Sequence, residues 1–212
     1  MSSKTGGEMA VSSTENLGGI RWAIVGSGAV VQSVLSSFGE HAPRNFLGIT
    51  SRNRTQSKEI ARKFGLRKVW ESAEELCRDS EVEAVYVATP HHTHFVWSAY
   101  YLSRGFPVFC EKPVCLTESA VRELVDIATS QGIFFGEALK TPFLSTHKLL
   151  QSIIESDEIG AIQSLSATFS FNASERSPRR LFDPVQAGGS LYDLGSYVVW
   201  LATSILGPVS SI

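Results

Sequence analysis

Two glycines near the start of the chain have the spacing of a phosphate-binding turn. Gly26-Ser27-Gly28 directly follows the apolar run at 20–25 and directly precedes a helix-like stretch. The first glycine allows a tight turn, and the second lets the backbone approach a pyrophosphate with no Cβ in the way. Val31 replaces the third glycine of the usual pattern, which governs helix packing rather than phosphate contact. A plain strand–helix turn is the alternative. We expect the dinucleotide-binding residues here to be Gly26, Ser27, Gly28, Ala29 and Val30, with the phosphates at the helix N-terminus.

The end of the second apolar run bears on which dinucleotide is bound. NAD enzymes usually carry an acidic residue there, which holds the ribose 2′-OH. Here the residues are Ser51-Arg52-Asn53-Arg54, and none is acidic. A serine hydroxyl can hydrogen-bond a 2′-phosphate, and an arginine can pair with it through its planar fork. We therefore predict NADP(H) in preference to NAD(H), with Ser51 and Arg52 as ligands. The alternative is that Arg52 and Arg54 are solvated surface charges.

Three histidines, His91, His92 and His94, follow the most apolar run of the chain, at 84–90. Clustered histidines raise the question of a metal. No partnering cysteine or carboxylate cluster accompanies the three histidines in the sequence. We expect no metal and interpret the histidines as polar residues at a strand end.

Short apolar runs alternate with amphipathic stretches at least four times before Glu137. This alternation predicts an α/β fold with a doubly wound parallel sheet, the Rossmann arrangement. Gly65 is a predicted helix C-cap, Ser72 and Glu75 a capping box, and Thr117 an N-cap. The expected strands are at 20–25, 46–51, 68–70, 84–90 and 107–113, and the expected helices at 30–41, 54–65, 72–79, 94–104 and 117–132.

The pattern changes near Glu137. A helix closed by Gly160 is expected at 146–160, and residues 161–174 alternate as a half-exposed antiparallel strand would. A polar loop then leads to a helix at 191–207. We therefore predict a flexible tail at 1–19, a dinucleotide-binding Rossmann domain at 20–137, and an incomplete α+β domain with an antiparallel sheet at 138–212.

Composition excludes several classes of function. The chain is 43% hydrophobic and 19% charged, with a formal net charge of -2, so it can build a packed core and lacks the basic character of a nucleic-acid binder. No apolar run is long enough to span a bilayer, and the first residues lack the apolar core of a secretory signal. Cys77, Cys110 and Cys115 are odd in number, which indicates reduced thiols and a cytoplasmic protein.

Four motifs in order carry a family resemblance: GSGAV, ATPHHTH, CEKP and GGSLYDLGSY. Together they resemble the glucose-fructose oxidoreductase (Gfo/Idh/MocA) family, from about Gly19 to the last residue, and most of all its dihydrodiol dehydrogenase and D-xylose dehydrogenase branch. The resemblance implies an NADP-dependent oxidoreductase that transfers hydride between nicotinamide and a sugar or cyclic diol. A generic Rossmann protein, such as a methyltransferase, would leave the last two motifs unexplained.

The resemblance assigns roles to particular residues. Lys112 of Glu111-Lys112-Pro113 would lie beside nicotinamide and substrate, donate to the reacting oxygen and stabilise its negative charge, with a cis proline following. Outside the family the same three residues would indicate a surface turn. Asp193 and Tyr197 match the family's Asp-x-x-x-His/Tyr pair: Tyr197 would be the acid–base partner of Lys112, and Asp193 would bind a substrate hydroxyl or orient Tyr197. The alternative is a helix-dipole aspartate and a core tyrosine. The residues implied to lie along the cofactor are Thr89, Pro90, His91 (where the family usually has Asn), His94, Glu111 and Lys112.

Two departures from the family pattern matter. Pro142 stands where the family has an arginine, with Lys140 shifted, so substrate identity stays open. Family members also continue beyond the position of Ile212. We therefore expect a truncated product, a splice form or a partial gene model, whose second domain folds poorly and which forms homo-oligomers only if its sheet is complete. A non-catalytic NADP-binding or regulatory protein, or an inactive isoform, is the alternative function.

Overall fold

The computed structural model describes residues 19–174 and 178–211. Six strands form one parallel sheet in the order β3-β2-β1-β4-β5-β6, so the predicted doubly wound sheet is confirmed. The chain order reverses between β1 and β4, and the crevice at the carboxyl ends of these strands is where such sheets bind ligands. The strands are β1 Trp22–Val25, β2 Phe46–Thr50, β3 Lys68–Val69, β4 Ala84–Val87, β5 Val108–Glu111 and β6 Phe135–Ala138. The predicted tail falls almost wholly outside the described residues.

Eight helices and five short 3-10 turns occur in these residues. The helices are α1 Ala29–Phe38, α2 Ala42–Asn45, α3 Arg54–Phe64, α4 Ala73–Arg78, α5 His94–Leu102, α6 Glu118–Gln131, α7 Ser145–Glu155 and α8 Ser190–Leu206. The turns are at Gly39–His41, His91–Thr93, Thr141–Phe143, Arg179–Phe182 and Pro184–Gln186. None of the helices described is long and apolar enough to cross a membrane.

Two apolar cores, one on each face of the sheet, explain why β4 is apolar throughout. Val85 and Val87 pack on one face with Tyr101 and Leu102 of α5. Tyr86 points to the other face, into a cluster formed with residues of β1, β2, α1 and α3. A parallel strand covered on both faces has no solvent-facing positions, which removes the alternation of an exposed strand.

Predicted helix ends agree with the structure where local chemistry sets them. Gly65 follows α3 at φ 71°, a left-handed conformation that glycine adopts without a Cβ penalty. Ser72 accepts a bond from Glu75 N at 3.1 Å, and Thr117 caps α6 by accepting from Ala120 N. The reciprocal bond of the capping box differs from the prediction: the Glu75 carboxylate accepts from Glu71 N rather than from Ser72 N.

Two predictions after residue 138 require correction. Residues 161–174 adopt no strand, and the antiparallel sheet expected there is not found in the described parts of the chain. An extended segment becomes a strand only when a neighbour satisfies its backbone groups, and no such ladder runs alongside this one. Helix α7 ends at Glu155, with Ser156 as its C-cap, instead of reaching Gly160. The final helix forms as expected and ends at Leu206, with Gly207 as its C-cap.

Candidate dinucleotide and catalytic site

The glycine turn joins β1 to α1 and has the shape of a phosphate cradle. Gly26 has φ +119° and donates to Thr50 O at 2.9 Å, and a Cβ there would collide with the Ala88 carbonyl. A Cβ on Gly28 would meet nothing within 4 Å, so the space in front of α1 is open. Gly28, the N-cap of α1, has no side chain that could cap the helix, and the first turn of α1 contains no acidic residue. The free N–H groups at this helix start therefore fit a dinucleotide pyrophosphate, with Ala29 and Val30 in the same turn.

Polar side chains at the end of β2 are organised by the start of α3. The Ser51 hydroxyl donates to Asn53 O at 3.0 Å and lies 2.8 Å from Ser57 Oγ. Gln56 reaches back to the glycine turn, where its Oε1 accepts from Ser27 Oγ at 3.0 Å. These bonds connect the glycine turn, the end of β2 and the start of α3.

The two arginines of this segment differ. Arg54 forms an ion pair with the Glu71 carboxylate and also donates to Glu71 O at 3.1 Å. Arg52 is exposed, directly after the Ser51 position. Arg52 is therefore the better placed of the two to contact a ligand at the β2 end.

His94 is fully buried and joins two loops. Its Nδ1 lies 2.8 Å from Pro113 O and its Nε2 lies 2.8 Å from Thr89 O. Burial lowers the pKa of His94, although the two backbone carbonyls oppose that shift. Its ring thus holds the loop after β4 against the loop after β5.

The loop after β4 also contacts the distant segment 178–189. His91 Nδ1 lies 3.3 Å from Ala187 O, and burial lowers the pKa of His91 to about 4. A neutral ring that donates through Nδ1 keeps Nε2 as an acceptor. Thr89 and Pro90 are bonded within this loop, because Thr93 Oγ1 donates to Pro90 O at 2.7 Å and lies 2.9 Å from the Thr89 hydroxyl. Among the described residues, no group of three His, Cys, Asp or Glu side chains has a geometry suited to a metal.

Lys112 meets the first turn of α8. Its ammonium donates to the carbonyl oxygen of Asp193, and its Nζ lies 3.3 Å from Asp193 Oδ1 and 5.2 Å from the centre of the Tyr197 ring. The Lys112 and Asp193 side chains are only 13% and 15% exposed. The Lys112–Pro113 peptide is cis. An ammonium has three donors, so one remains for a substrate oxygen beside Tyr197.

Burial and the nearby carboxylates Glu111 and Asp193 raise the pKa of Tyr197. Its phenol is therefore neutral at pH 7 and can act as a proton donor.

Three residues of this region were not anticipated from the sequence. Tyr86 donates to Glu111 Oε1 at 2.5 Å, and burial raises the pKa of Glu111. Glu137 Oε1 accepts from Val114 N at 2.8 Å, which supports the loop that carries Lys112. Arg180 Nη1 lies 3.9 Å from Asp193 Oδ1. The sequence offered one signal for the Tyr86–Glu111 pair, a tyrosine inside an apolar strand, since a buried hydroxyl needs a partner.

Comparison with known protein families decides the family. The model of an oxidoreductase family with an NAD-binding Rossmann fold, GFO_IDH_MocA, matches residues 20–138. A GFO/IDH/MocA C-terminal domain matches residues 147–212. The chain belongs to the Gfo/Idh/MocA oxidoreductase family. The resemblance drawn from the four motifs is thereby confirmed, and the sheet described above is this family's nicotinamide-dinucleotide-binding domain.

Curated relatives of this family member share about a third of its residues. Trans-1,2-dihydrobenzene-1,2-diol dehydrogenase of Mus musculus is 36% identical over 193 residues, and that of Homo sapiens is 32% identical over 191 residues. Each alignment covers 89% of this chain and 56% of the relative. The chain thus spans little more than half the length of these relatives.

Solved structures give the same fold. KijD10, a 3-ketoreductase from Actinomadura kijaniata in complex with NADP and TDP-benzene, superposes with a TM-score of 0.80 at 26% identity, covering 89% of this chain and 58% of that one. GenD2 from gentamicin A biosynthesis, in complex with NAD, has a TM-score of 0.77 at 21% identity, covering 94% and 57%. At the latter identity the likeness concerns the fold alone.

Proposed function

We propose that this protein is an NADP-dependent oxidoreductase that moves hydride between nicotinamide and an oxygen-bearing carbon of a sugar or cyclic diol. The observation that supports the proposal most directly is the convergence of Lys112, Asp193 and Tyr197. Lys112 directly follows β5, and Asp193 and Tyr197 belong to α8, so residues far apart in sequence meet beside the carboxyl edge of the sheet. Similarity to dihydrodiol dehydrogenases and to a 3-ketoreductase agrees with this chemistry.

Each of the three residues has a distinct role in the proposed reaction. The bound nicotinamide supplies hydride exchange with the substrate carbon. In the oxidation direction the substrate C–H leaves as hydride, and its O–H proton passes to Tyr197 in its phenolate form, which is the reverse of proton donation by the neutral phenol in reduction. In reduction, the Lys112 ammonium donates to the carbonyl oxygen and stabilises the negative charge that forms there. Asp193 holds Lys112 in place through two oxygen atoms.

The cofactor proposal is NADP(H) in preference to NAD(H). It is supported by the absence of an acidic residue at 51–54 and by the exposed Arg52 beside Ser51. Titration of the protein with NADPH and NADH by nucleotide fluorescence tests it, and Arg52→Ala should weaken NADPH binding about tenfold with little effect on NADH. Tighter binding of NADH than NADPH by the wild-type protein would contradict the proposal. The residues proposed to line the cofactor are Gly26, Ser27, Gly28, Ala29, Val30, Ser51, Arg52, Thr89, Pro90, His91, Glu111 and Lys112, with His94 as a positioning residue behind them.

Turnover is the decisive measurement for the enzyme proposal. NADP+ reduction should be assayed over a panel of aldoses and cyclic diols, comparing the wild-type protein with Lys112→Ala. We expect a substrate-dependent rate that falls by about a thousandfold in the variant, because transition-state stabilisation at the oxygen is lost. Lys148→Ala, an exposed lysine of α7, is the matched control. NADPH binding with no turnover above Lys112→Ala would favour a non-catalytic, nucleotide-sensing protein.

We also propose that the chain divides into a Rossmann domain at 20–137 and a substrate domain at 138–212. The end of β6 at Ala138 supports this boundary. A cytoplasmic location is proposed on the ground that Cys77, Cys110 and Cys115 are free thiols.

A further inference from the structure

The segment 178–189 is built around Asp183. The Asp183 carboxylate accepts from Val185 N at 3.0 Å and from Gln186 Nε2 at 2.7 Å. Its carbonyl accepts from Gly188 N at 2.9 Å. The side-chain bond from Gln186, followed by the backbone bond from Val185, lowers the pKa of Asp183, so the carboxylate keeps these bonds at neutral pH. The segment is thus a compact, internally bonded loop.

The backbone of Arg180 packs against another part of this loop. A Cβ on Gly188 would collide with the Arg180 carbonyl, so the two backbones touch. On the other side Ala187, which is buried and has φ 56°, turns its carbonyl oxygen toward His91 Nδ1. A non-glycine residue in the left-handed region persists only where its surroundings enforce it. The loop is therefore fixed against the Rossmann sheet, with the Arg180 side chain directed toward α8.

The Arg180 guanidinium is close to Asp193 without being bonded to it. The distance of 3.9 Å from Nη1 to Asp193 Oδ1 exceeds that of a hydrogen bond. The same Oδ1 lies 3.3 Å from Lys112 Nζ, so two cations flank one carboxylate. In the parts of the chain that the structure describes, the Arg180 guanidinium makes no hydrogen bond. It is also the most exposed of the three groups, with 42% of its side chain open to solvent.

This arrangement matches a neutral hydroxyl group. A hydroxyl can donate one bond and accept others, so it can donate to Asp193 and accept from Arg180 at the same time. A hydroxyl oxygen beside the gap can lie about 2.8 Å from both the Arg180 guanidinium and the Asp193 carboxylate, which is a normal hydrogen-bond length. The gap between the Arg180 guanidinium and the Asp193 carboxylate therefore fits a hydroxyl group of the substrate.

We propose that Arg180 is a substrate-binding residue which, together with Asp193, holds the hydroxyl next to the reacting carbon, so that the site selects vicinal diols and α-hydroxy carbonyl compounds over mono-alcohols. The inference rests on the proposed function, because Lys112 and Tyr197 are taken to hold the reacting oxygen. It adds a residue outside the three to which the reaction was assigned.

The test compares trans-cyclohexane-1,2-diol with cyclohexanol, which lacks the second hydroxyl. In Arg180→Met, kcat/KM for the diol should fall by at least about tenfold, while that for cyclohexanol changes by less than about threefold. Arg180→Lys should restore part of the loss, because an ammonium still donates. The matched control is Arg179→Met, an exposed arginine at the adjacent position, which should behave as wild type.

A binding measurement separates this proposal from the enzyme proposal. Calorimetric titration of the diol into the NADP+-saturated protein detects binding whether or not turnover occurs. Arg180→Met should weaken binding of the diol by the same factor. Diol binding that depends on Arg180, without NADP+ reduction, would sink the proposed function and leave Arg180 as a diol ligand. The proposed role of Arg180 would be overturned if Arg180→Met lowered kcat/KM equally for both substrates, or left kcat/KM for the diol unchanged. It would also be overturned if the wild-type protein used the diol and cyclohexanol equally well.

Discussion

At the scale of the residue, Glu111 shows how the end of β5 carries an electrostatic cost. Its carboxyl group lies inside the fold next to the Tyr86 hydroxyl, and burial raises its pKa above the ordinary value near 4.5. The folded state therefore holds the proton more tightly than the unfolded state. Stability falls as pH rises from the unfolded pKa through the raised folded pKa, and the full cost is present above it.

Replacing this carboxylate should stabilise the fold. Glu111→Gln keeps an acceptor for Tyr86 and removes the buried charge, so the free energy of unfolding at pH 7.5 should rise by about 1 kcal/mol. At pH 4 the difference should shrink, because Glu111 is then protonated. Urea denaturation at the two pH values measures both, with the exposed Glu123→Gln as control. A variant less stable than wild type at pH 7.5 would show that the charge is compensated.

Tyr197 differs from Glu111, because the proposed reduction uses its neutral form as a proton donor. Its raised pKa keeps the phenol protonated well beyond neutral pH. Tyr197→Phe should lower kcat in the reduction direction by about a hundredfold, because proton donation to the forming alkoxide is lost. NADPH affinity should be unchanged, since the hydroxyl is needed for chemistry rather than for cofactor binding. A variant with normal kcat and raised KM would instead assign Tyr197 to substrate binding.

At the scale of the element, the two glycines of the β1–α1 turn differ in their surroundings, and we expect one to serve folding and the other to serve cofactor binding. Gly26 combines a positive φ with a clash against the Ala88 carbonyl, whereas Gly28 has φ −72° and open space around its missing Cβ. The two positions therefore have different requirements, although the sequence motif treats them alike. The first shapes the junction of two strands, and the second leaves room for the ligand.

Two alanine substitutions test this division. Gly28→Ala should fold with the stability of the wild type but bind NADPH at least about tenfold more weakly, because a Cβ enters the phosphate space. Gly26→Ala should lower the free energy of unfolding by about 2 kcal/mol or more as well as abolishing binding. Thermal denaturation without nucleotide, paired with NADPH titration, distinguishes them. A Gly28→Ala protein with full affinity would place the pyrophosphate elsewhere.

At the scale of the whole molecule, order is concentrated in the sheet. Strands β1 and β4 are buried on both faces and bonded on both edges, whereas residues 161–174 have no ladder partner in the described parts of the chain and lie largely in solvent. Slow hydrogen exchange needs a protected backbone bond. The molecule should therefore combine a resistant half with a more readily exchanging one.

Amide hydrogen exchange followed by mass spectrometry measures this difference. Peptides covering 22–25 and 84–87 should exchange slowest, and the peptide covering 161–171 should exchange within seconds. NADPH should slow exchange around the glycine turn and leave 161–171 unchanged. Strong protection throughout 161–171 would mean that this segment pairs in solution.

The sequence by itself determined the features that depend on neighbouring residues. The apolar runs identified every strand except β6; Gly65, Ser72 and Thr117 marked helix ends, and the β1–α1 glycine turn indicated a dinucleotide site. Each depends on bonds or burial periodicity within a few residues, so local pattern is sufficient. The four ordered motifs indicated the family for a similar reason, since each is a short, local run of residues.

The tertiary structure decided which distant side chains meet. Lys112 and Asp193 are 81 residues apart, and only the packing of α8 against the β5 loop brings them together. The same holds for His94 between two loops, for Tyr86 beside Glu111 and for Arg180 behind Asp193. Such contacts depend on the relative placement of whole elements, which no local pattern specifies. The unpaired segment 161–174 shows the same limit, because alternating residues predict a strand but only a neighbouring backbone can form one.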